Sequence, residues 1–206
     1  PGTIASEFPG KIPATAIASL WAWRARYPNH VLLNRMDGVL KRRPDFVLLL
    51  VGQPDSFQDL IPPELFQTAM MDLVDSVRKS GAVPILGSIP WLDDRFYSKQ
   101  KLVGVFSIWN RASPERTRTY CETIRLIAAE KNVPLADIFQ AMVGKSHLLL
   151  SDGAHPSAAG HDVIADAFLD VLRPLIQESP SSTRPPQEST VENDLLTTRL
   201  FFRELL

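Results

Sequence analysis

The chain has 206 residues, 45% apolar and 22% charged, and its 22 Lys and Arg residues nearly balance 23 Asp and Glu, for a net charge of -1. This length is typical of one domain with a tail. The balanced charge gives no electrostatic basis for binding nucleic acid or an anionic membrane. The one cysteine, Cys121, excludes an internal disulfide and a cysteine-based metal cluster. No apolar run approaches the ~20 residues that a transmembrane helix needs.

The N-terminal third has the least definite pattern. Residues 14–26 are compatible with a helix, and residues 30–33 either form an additional strand or begin a helix that runs to Arg43. Met36 and Leu40 have the spacing of one helix face, whereas Gly38 disfavours a helix interior. Both alternatives stay open from the sequence alone.

The middle of the chain alternates between strand-like and helix-like segments. Apolar runs predict buried strands at residues 45–51 and 82–86, and a weaker one at 133–137; nearly continuous runs are typical of a parallel sheet covered on both faces. Helical periodicity marks residues 63–79, a segment that opens at Ser113-Pro114, and a segment from Ser157 onward. The alternation predicts a three-layer α/β/α fold with a mainly parallel sheet.

The composition changes after Pro174. Residues 177–190 are rich in Pro, Ser, Thr, Gln and Glu and are predicted to be an exposed linker after a domain spanning residues 1–176. Residues 191–206 have the pattern of an amphipathic helix. Its polar face holds both acidic and basic residues, which favours packing on its own domain or on a second copy, as in a homo-oligomer, over binding to a membrane surface.

One loop carries residues typical of catalysis. Asp152 and His155 stand three residues apart, beside Gly153 and Pro156 and just before a strong helix. In such a loop a carboxylate can orient an imidazole and stabilise its protonated form, so that the imidazole takes a proton from a nucleophilic hydroxyl. His161 does not extend this pair to a metal site, because its spacing is not that of a helical zinc pair and no further ligands are supplied.

Around this loop the sequence resembles the SGNH (GDSL-type) esterases. DGAHPSAAGHDVIADAF, from Asp152, is similar to the family's last block, in which Asp-x-x-His-Pro precedes the final helix. Residues 43–56 (RPDFVLLLVGQPDS) resemble its strand followed by Gly-x-Asn-Asp, and residues 80–90 and 119–142 resemble the next strand and the last helix–strand pair. The likeness covers about residues 43–176 in the correct order.

The resemblance implies a fold and a site. The fold would be of the SGNH-hydrolase, flavodoxin-like type. Asp152 and His155 would be the Asp and His of the triad, and Gly52 would belong to the oxyanion hole, whose donors stabilise the developing negative charge. No metal or organic cofactor is implied, and the partner would be a small-molecule ester or an acylated sugar.

The third block departs from the family pattern. Gly-x-Asn-Asp is here Gly52-Gln53-Pro54-Asp55, so Pro54 takes the position of the oxyanion-hole Asn and offers neither a side-chain donor nor a backbone N–H. Gln53 is the available replacement amide, provided that the loop is rebuilt. An unreplaced donor costs about 3–4 kcal/mol of transition-state stabilisation.

The nucleophile is the second departure, because the Gly-Asp-Ser block that follows the family's first strand does not occur. In one alignment residues 34–38 (NRMDG) form the second block and Gly38 is the oxyanion glycine; in the other Pro1-Gly2-Thr3 does, with Gly2 in that role. The first alignment places the first block near or before Pro1 and the second places it upstream, so we expect the first strand and the nucleophilic Ser to lie before Pro1. The start at Pro1 without an initiator Met is consistent with a fragment or a processed product. Ser6, Ser19 and Ser56 are interpreted as ordinary caps or surface hydroxyls.

The function expected from these features is ester hydrolysis or acyl transfer on a small acyl ester or acetylated carbohydrate. His155 would be the base, Asp152 its orienting partner, and an upstream serine the nucleophile. The alternative is a catalytically inactive binding or scaffold domain that keeps the SGNH fold, and Pro54 is the residue that favours it.

Overall fold

The computed structural model describes residues 16–17, 36–57, 62–103 and 113–178. Their strands form one parallel sheet in the order β1-β2-β3-β4, namely Ala16–Ile17 (β1), Phe46–Leu50 (β2), Val83–Gly87 (β3) and Leu135–Ala136 (β4). The helices are residues 36–40 (α1), Gln53–Phe57 (α2), Pro63–Lys79 (α3), Asp94–Val103 (α4), Pro114–Glu130 (α5), Ile138–Met142 (α6) and Ala158–Glu178 (α7), with a 3-10 turn at Ser146–Leu148.

The sheet is covered on both faces, which confirms the predicted α/β architecture. Along β2, Val47 and Leu49 enter a core shared with α3 and α5. Phe46 and Leu48 enter a second core, shared with α7. Because successive strand residues point to opposite faces, a run of apolar residues without alternation is what a strand between two helical layers requires.

Strand β3 contains a proline, which a central strand normally excludes because the ladder loses a donor. The Leu86 N–H donates to the Pro134 carbonyl and the Ser88 N–H to the Ala136 carbonyl, so this alternate set of residues faces β4. Pro84 belongs to the same set but lies before the point where β4 begins to pair with β3. The missing N–H therefore falls where no ladder partner is present.

One element of the N-terminal third differs from its prediction. Residues 14–26 are compatible with a helix, yet Ala16 and Ile17 form a strand that pairs with Val47 and Leu48 of β2. Helical propensity in the local sequence predicts structure only weakly. Strand pairing with the open edge of β2 overrides it, because the N–H and C=O groups at the edge of a sheet need hydrogen-bond partners. Residues 36–40 are helical, and the alternatives for residues 30–33 lie outside the described residues.

At the other end, α7 continues through Pro174 to Glu178. Gln177 and Glu178 are therefore helical, although composition assigned them to the linker. Leu172 and Ile176 are buried in the core beneath the sheet, and this packing holds the last turns of the helix. The remainder of the linker and the proposed helix 191–206 lie outside the described residues. None of the helices in the described ranges has both the length and the apolarity to cross a bilayer.

Helix α5 offers a matched test of this packing. Ile124 is fully buried, whereas Leu126, two residues later on the same helix, is 64% exposed. We expect Ile124→Ala to lower the free energy of unfolding by about 2–5 kcal/mol, because it leaves a cavity in the core. Leu126→Ala is expected to change it by no more than about 0.5 kcal/mol. Urea unfolding of both variants measures the difference, and equal losses would contradict the orientation of α5.

Candidate active site

The loop that carries Asp152 and His155 is closed by its own backbone. The Leu150 N–H donates to the His155 carbonyl at 2.8 Å, and the Gly153 N–H donates to the Leu150 carbonyl at 3.0 Å. Leu149 and Pro156 form an antiparallel bridge across the base of the loop. The loop is therefore a short closed turn between the 3-10 turn and α7, in which the positions of its side chains are strongly restricted.

Within this turn the two predicted catalytic side chains contact each other. His155 Nδ1 lies 2.5 Å from Asp152 Oδ2. The other carboxylate oxygen, Oδ1, accepts hydrogen bonds from the Ala154 N–H at 2.8 Å and from the His155 N–H at 3.0 Å. The His155 side chain is 66% exposed and that of Asp152 is 39% exposed, so the imidazole is accessible from solvent while the carboxylate is held from two sides.

The hydrogen bonds determine the charge of the carboxyl group. Partial burial raises the pKa of Asp152, but the two backbone N–H donors and the imidazole outweigh it and lower this pKa to about 2. Asp152 is therefore ionised at neutral pH, and an ionised carboxylate requires that Nδ1 carry the proton of a neutral imidazole. Nε2 is then the nitrogen that can take a proton from a nucleophile.

The turn lies at the carboxyl edge of the sheet. The Asp93 N–H, in the segment that follows β3, donates to the Gly153 carbonyl at 3.0 Å. Gly52 follows β2 at the same edge, because β2 and β3 are parallel and in register. Open α/β sheets bind their ligands at this edge. A cavity of about 400 Å³, lined by Trp91, Asp93, Asp94, Arg95 and Ser146, opens beside the segment that holds Gly153.

Gly52 occupies a position that admits only glycine. Its φ is +105°, and a Cβ there would lie 2.7 Å from Cζ of Phe66. Helix α2 begins at the next residue, Gln53. Pro54 therefore lies in the first turn of a helix, where the missing N–H breaks no internal hydrogen bond.

The remaining polar residues of this third block face inward. Ser56 is fully buried, and its hydroxyl donates to the Gln53 carbonyl at 2.8 Å, three residues earlier in α2, so the hydroxyl has a hydrogen-bond partner within its own helix. Asp55 is only 5% exposed. Burial raises the pKa of Asp55 to about 6, against a smaller lowering by the backbone. Burial is the main cause of the raised pKa of Tyr120 on α5, and the nearby charge of Asp55 also raises it.

The other predicted oxyanion residues are spread over the chain. Gln53 is half-buried, and Gly38 is exposed within α1, with no atom inside 4 Å of a Cβ built on it. Gly2, Ser6 and Ser19 lie outside the described residues. The structure thus brings together Asp152 and His155, and does not bring Gly38 into the turn that holds them.

No metal site accompanies the pair in the described part of the chain. Across residues 36–57, 62–103 and 113–178, no three His, Cys, Asp or Glu residues group as metal ligands. His161 is exposed on the first turns of α7, where its N–H donates to the Ser157 carbonyl.

Comparison with known proteins identifies a similar family. The sequence model of the GDSL-like lipase/acylhydrolase family matches residues 11–163. A search of curated proteins finds no match to the chain.

Three solved structures with the same fold are distant from this chain in sequence. A lipase/acylhydrolase from Enterococcus faecalis is 18% identical, with a TM-score of 0.58 and coverage of 71% of each chain. The esterase EstA from Pseudoalteromonas is 21% identical, with a TM-score of 0.54 and coverage of 73% of each chain. Axe2, an acetylxylan esterase from Geobacillus stearothermophilus, is 22% identical with a TM-score of 0.53, covering 70% of this chain and 67% of its own. At these identities the likeness establishes the fold.

The raised pKa of Asp55 predicts a pH-dependent stability. The folded protein holds this proton up to pH about 6, whereas the unfolded chain releases it near 3.8. Between these values the folded state binds more protons, so the free energy of unfolding falls as pH rises, by about 3 kcal/mol for a shift of this size. Asp55→Asn removes the ionisation and is expected to be more stable than the wild type above pH 6, by about 1–3 kcal/mol.

Urea unfolding at pH 4.5 and pH 7.5 measures this effect. Asp72→Asn, a change of the same kind at an exposed position of α3, serves as the control and is expected to follow the wild type. An Asp55→Asn variant with the same pH dependence as the wild type would contradict the buried ionisation.

Proposed function

The chain belongs to the GDSL-like lipase/acylhydrolase family and is an esterase-type hydrolase, and we propose that it cleaves a small acyl ester or an acetylated carbohydrate by serine chemistry through His155 and Asp152. The observation that carries the proposal is the 2.5 Å contact between His155 Nδ1 and Asp152 Oδ2 in an exposed turn.

In the proposed mechanism His155 moves the proton at each step. Nε2 takes the proton from the serine hydroxyl as its oxygen attacks the ester carbonyl, and the imidazolium that forms is stabilised by Asp152. The same proton then passes to the departing alkoxide, leaving an acyl-enzyme. Nε2 next takes a proton from water, which attacks the acyl group. The acyl–serine bond then breaks, the serine oxygen takes that proton back from Nε2, and the carboxylic acid leaves; an alcohol in place of water would give acyl transfer.

We propose Ser19 as the nucleophile, in place of the upstream serine expected from the sequence. The support is β1, which lies within the chain, pairs in parallel with β2, and therefore leaves the sheet at the carboxyl edge. Ser19 follows Ile17, the last residue of β1, by two positions in the sequence. The match to the sequence model of the family also begins at residue 11, before this strand. Of the family's Gly-Asp-Ser block only the serine is then retained, because Ile17 and Ala18 take the first two positions.

The same reasoning bears on the oxyanion hole. If β1 is the first strand, Gly2 precedes the nucleophile, whereas Gly38 follows it and precedes Gly52, as the family order requires. That order favours Gly38 over Gly2, but Gly38 is exposed within α1 and the structure does not bring it into the turn that holds Asp152 and His155. We therefore propose donors from Gly52 and the Gln53 amide, with Pro54 removing the usual Asn. Loss of one donor costs roughly 10²–10³ in rate, so slow turnover is expected.

The proposed substrate class follows from the size and polarity of the edge. The cavity of about 400 Å³ beside the turn offers the indole of Trp91 and the exposed carboxylate of Asp94, a mixture of groups suited to a sugar or another small polar alcohol. The name of the similar acetylxylan esterase from Geobacillus stearothermophilus points in the same direction.

Hydrolysis of p-nitrophenyl acetate by the full-length protein tests the catalytic residues. His155→Ala is expected to lower kcat by about 10⁴–10⁶-fold, because the base is removed. His161→Ala, an exposed histidine on the following helix, is the matched control and is expected to retain full activity. Equal activity of His155→Ala and the wild type would rule out the assignment of the base.

Labelling with a fluorophosphonate, followed by mass spectrometry, identifies the nucleophile. We expect label on Ser19 and its loss in both Ser19→Ala and His155→Ala. Label on a serine that precedes residue 1 in a longer protein would overturn Ser19 and restore the upstream nucleophile. A folded protein with neither label nor turnover would favour the binding-domain alternative, with Pro54 as the disabling residue.

A further inference from the structure

The turn that holds Asp152 and His155, the proposed catalytic dyad, has two faces with different environments. Asp152 and His155 are partly exposed, whereas Gly153 and Ala154 between them are buried. Ala154 packs in a small apolar cluster with Leu92, Phe96 and Tyr97. The turn therefore rests on residues 92–97, which comprise the end of the segment that follows β3 and the first turn of α4.

This contact leaves no space for a side chain at Gly153. Its φ is +77°, and a Cβ there would overlap Asp93 Oδ1 and lie 2.8 Å from the Phe96 backbone nitrogen. The Asp93 N–H also donates to the Gly153 carbonyl at 3.0 Å. The position of Asp93 thus fixes the position of the peptide unit between the two catalytic residues.

Asp93 is itself fixed by Arg95. Its Oδ1 accepts the Arg95 backbone N–H at 2.9 Å, and its Oδ2 accepts the Arg95 Nε–H at 2.6 Å. The Arg95 Nη2 then donates to the Ser146 carbonyl at 3.1 Å, on the 3-10 turn that leads into the dyad turn. The Asp93 carboxylate is almost completely buried, and a buried carboxylate of this kind is stable only when it is paired.

Arg95 also lies close enough to Asp152 for their charges to interact. Asp93 holds the guanidinium, so Asp152 keeps both oxygens for the Ala154 and His155 donors. A released Arg95 would compete with the imidazole for the Asp152 carboxylate, because Arg prefers bidentate pairing with carboxylates.

We propose that the Asp93–Arg95 pair positions the catalytic dyad, by holding Gly153 and Ser146 in place and by keeping the guanidinium away from Asp152. This role rests on the proposed function of the dyad. Asp93 and Arg95 are positioning residues, since they act through Asp152 and His155 and take no part in proton transfer.

Steady-state kinetics and the imidazole spectrum of the full-length protein test the role together. Asp93→Asn is expected to lower kcat for p-nitrophenyl acetate by about 10²-fold, the usual effect of a displaced catalytic group, with KM changed less than about twofold. In a long-range ¹H–¹⁵N spectrum, His155 is expected to lose its predominantly Nδ1-protonated form. The double variant Asp93→Asn/Arg95→Met is expected to regain about tenfold in kcat, because the competing guanidinium is gone.

Asp170→Asn is the matched control, since Asp170 forms an Asp–Arg pair with Arg173 on the surface of α7. It is expected to change neither kcat nor the spectrum. If Asp93→Asn does not fold, Arg95→Lys carries the same measurements, because it keeps the ion pair but shortens the reach to Ser146. The wild-type spectrum is assigned by comparison with His155→Ala.

An unchanged tautomer in the folded Asp93→Asn variant, or a rise in KM with unchanged kcat, would overturn the positioning role; the second result would make the pair a substrate contact. Failure of the proposed function gives a different result, because the wild type would then have no turnover while the imidazole spectrum still reports whether Asp93 orients His155.

Discussion

The parallel pairing of β2 with β3 is the constraint on which the rest of this structure depends. Residues from Phe46 to Leu50 pair in register with residues from Val83 to Gly87, so both strands end at one edge of the sheet. Each end then delivers a part of the candidate site: Gly52 follows one strand, and Asp93 follows the other. The pairing is stable because helices bury both faces of β2, in one core with α3 and α5 and in another with α7.

A catalytic base in a loop at the carboxyl edge of the sheet must meet two requirements that conflict with each other. A base that exchanges protons with a substrate must be accessible, and it must also keep one orientation and one tautomer. The turn from Asp152 to His155 has an arrangement that would meet both, because the side chains of Asp152 and His155 are exposed while Gly153 and Ala154 pack inward. Rigid support beneath an exposed catalytic group is what keeps its geometry productive.

Much of this organisation is local and could be predicted. Helix α3 has the predicted bounds of residues 63–79, because its apolar spacing, its first-turn proline and Gly81 after its end all agree. The contact between Asp152 and His155 follows from their spacing of three residues in a turn. Residues 14–26 are compatible with a helix in sequence, but Ala16 and Ile17 form a strand, because the edge of β2 supplies ladder partners that periodicity cannot reveal. The change of composition after Pro174 predicts that the last helix ends before Gln177. In the structure the helix continues to Glu178, because Ile176 packs in the core.

The sequence by itself determined the layered α/β fold, the position of the dyad and the family, since each depends on residue types at short, fixed spacings. The tertiary structure decided what those spacings leave open. Asp93 and Gly153 are sixty residues apart in the sequence, by the printed numbering, and only the folding of one loop onto another places the first beneath the second. Burial likewise decides that Asp55 keeps its proton to pH about 6 and that the Ser56 hydroxyl is enclosed with the Gln53 carbonyl as its partner. Pro54 is accommodated because it lies in the first turn of a helix. These properties depend on the residues that surround a position in space, and a local sequence pattern does not specify those neighbours.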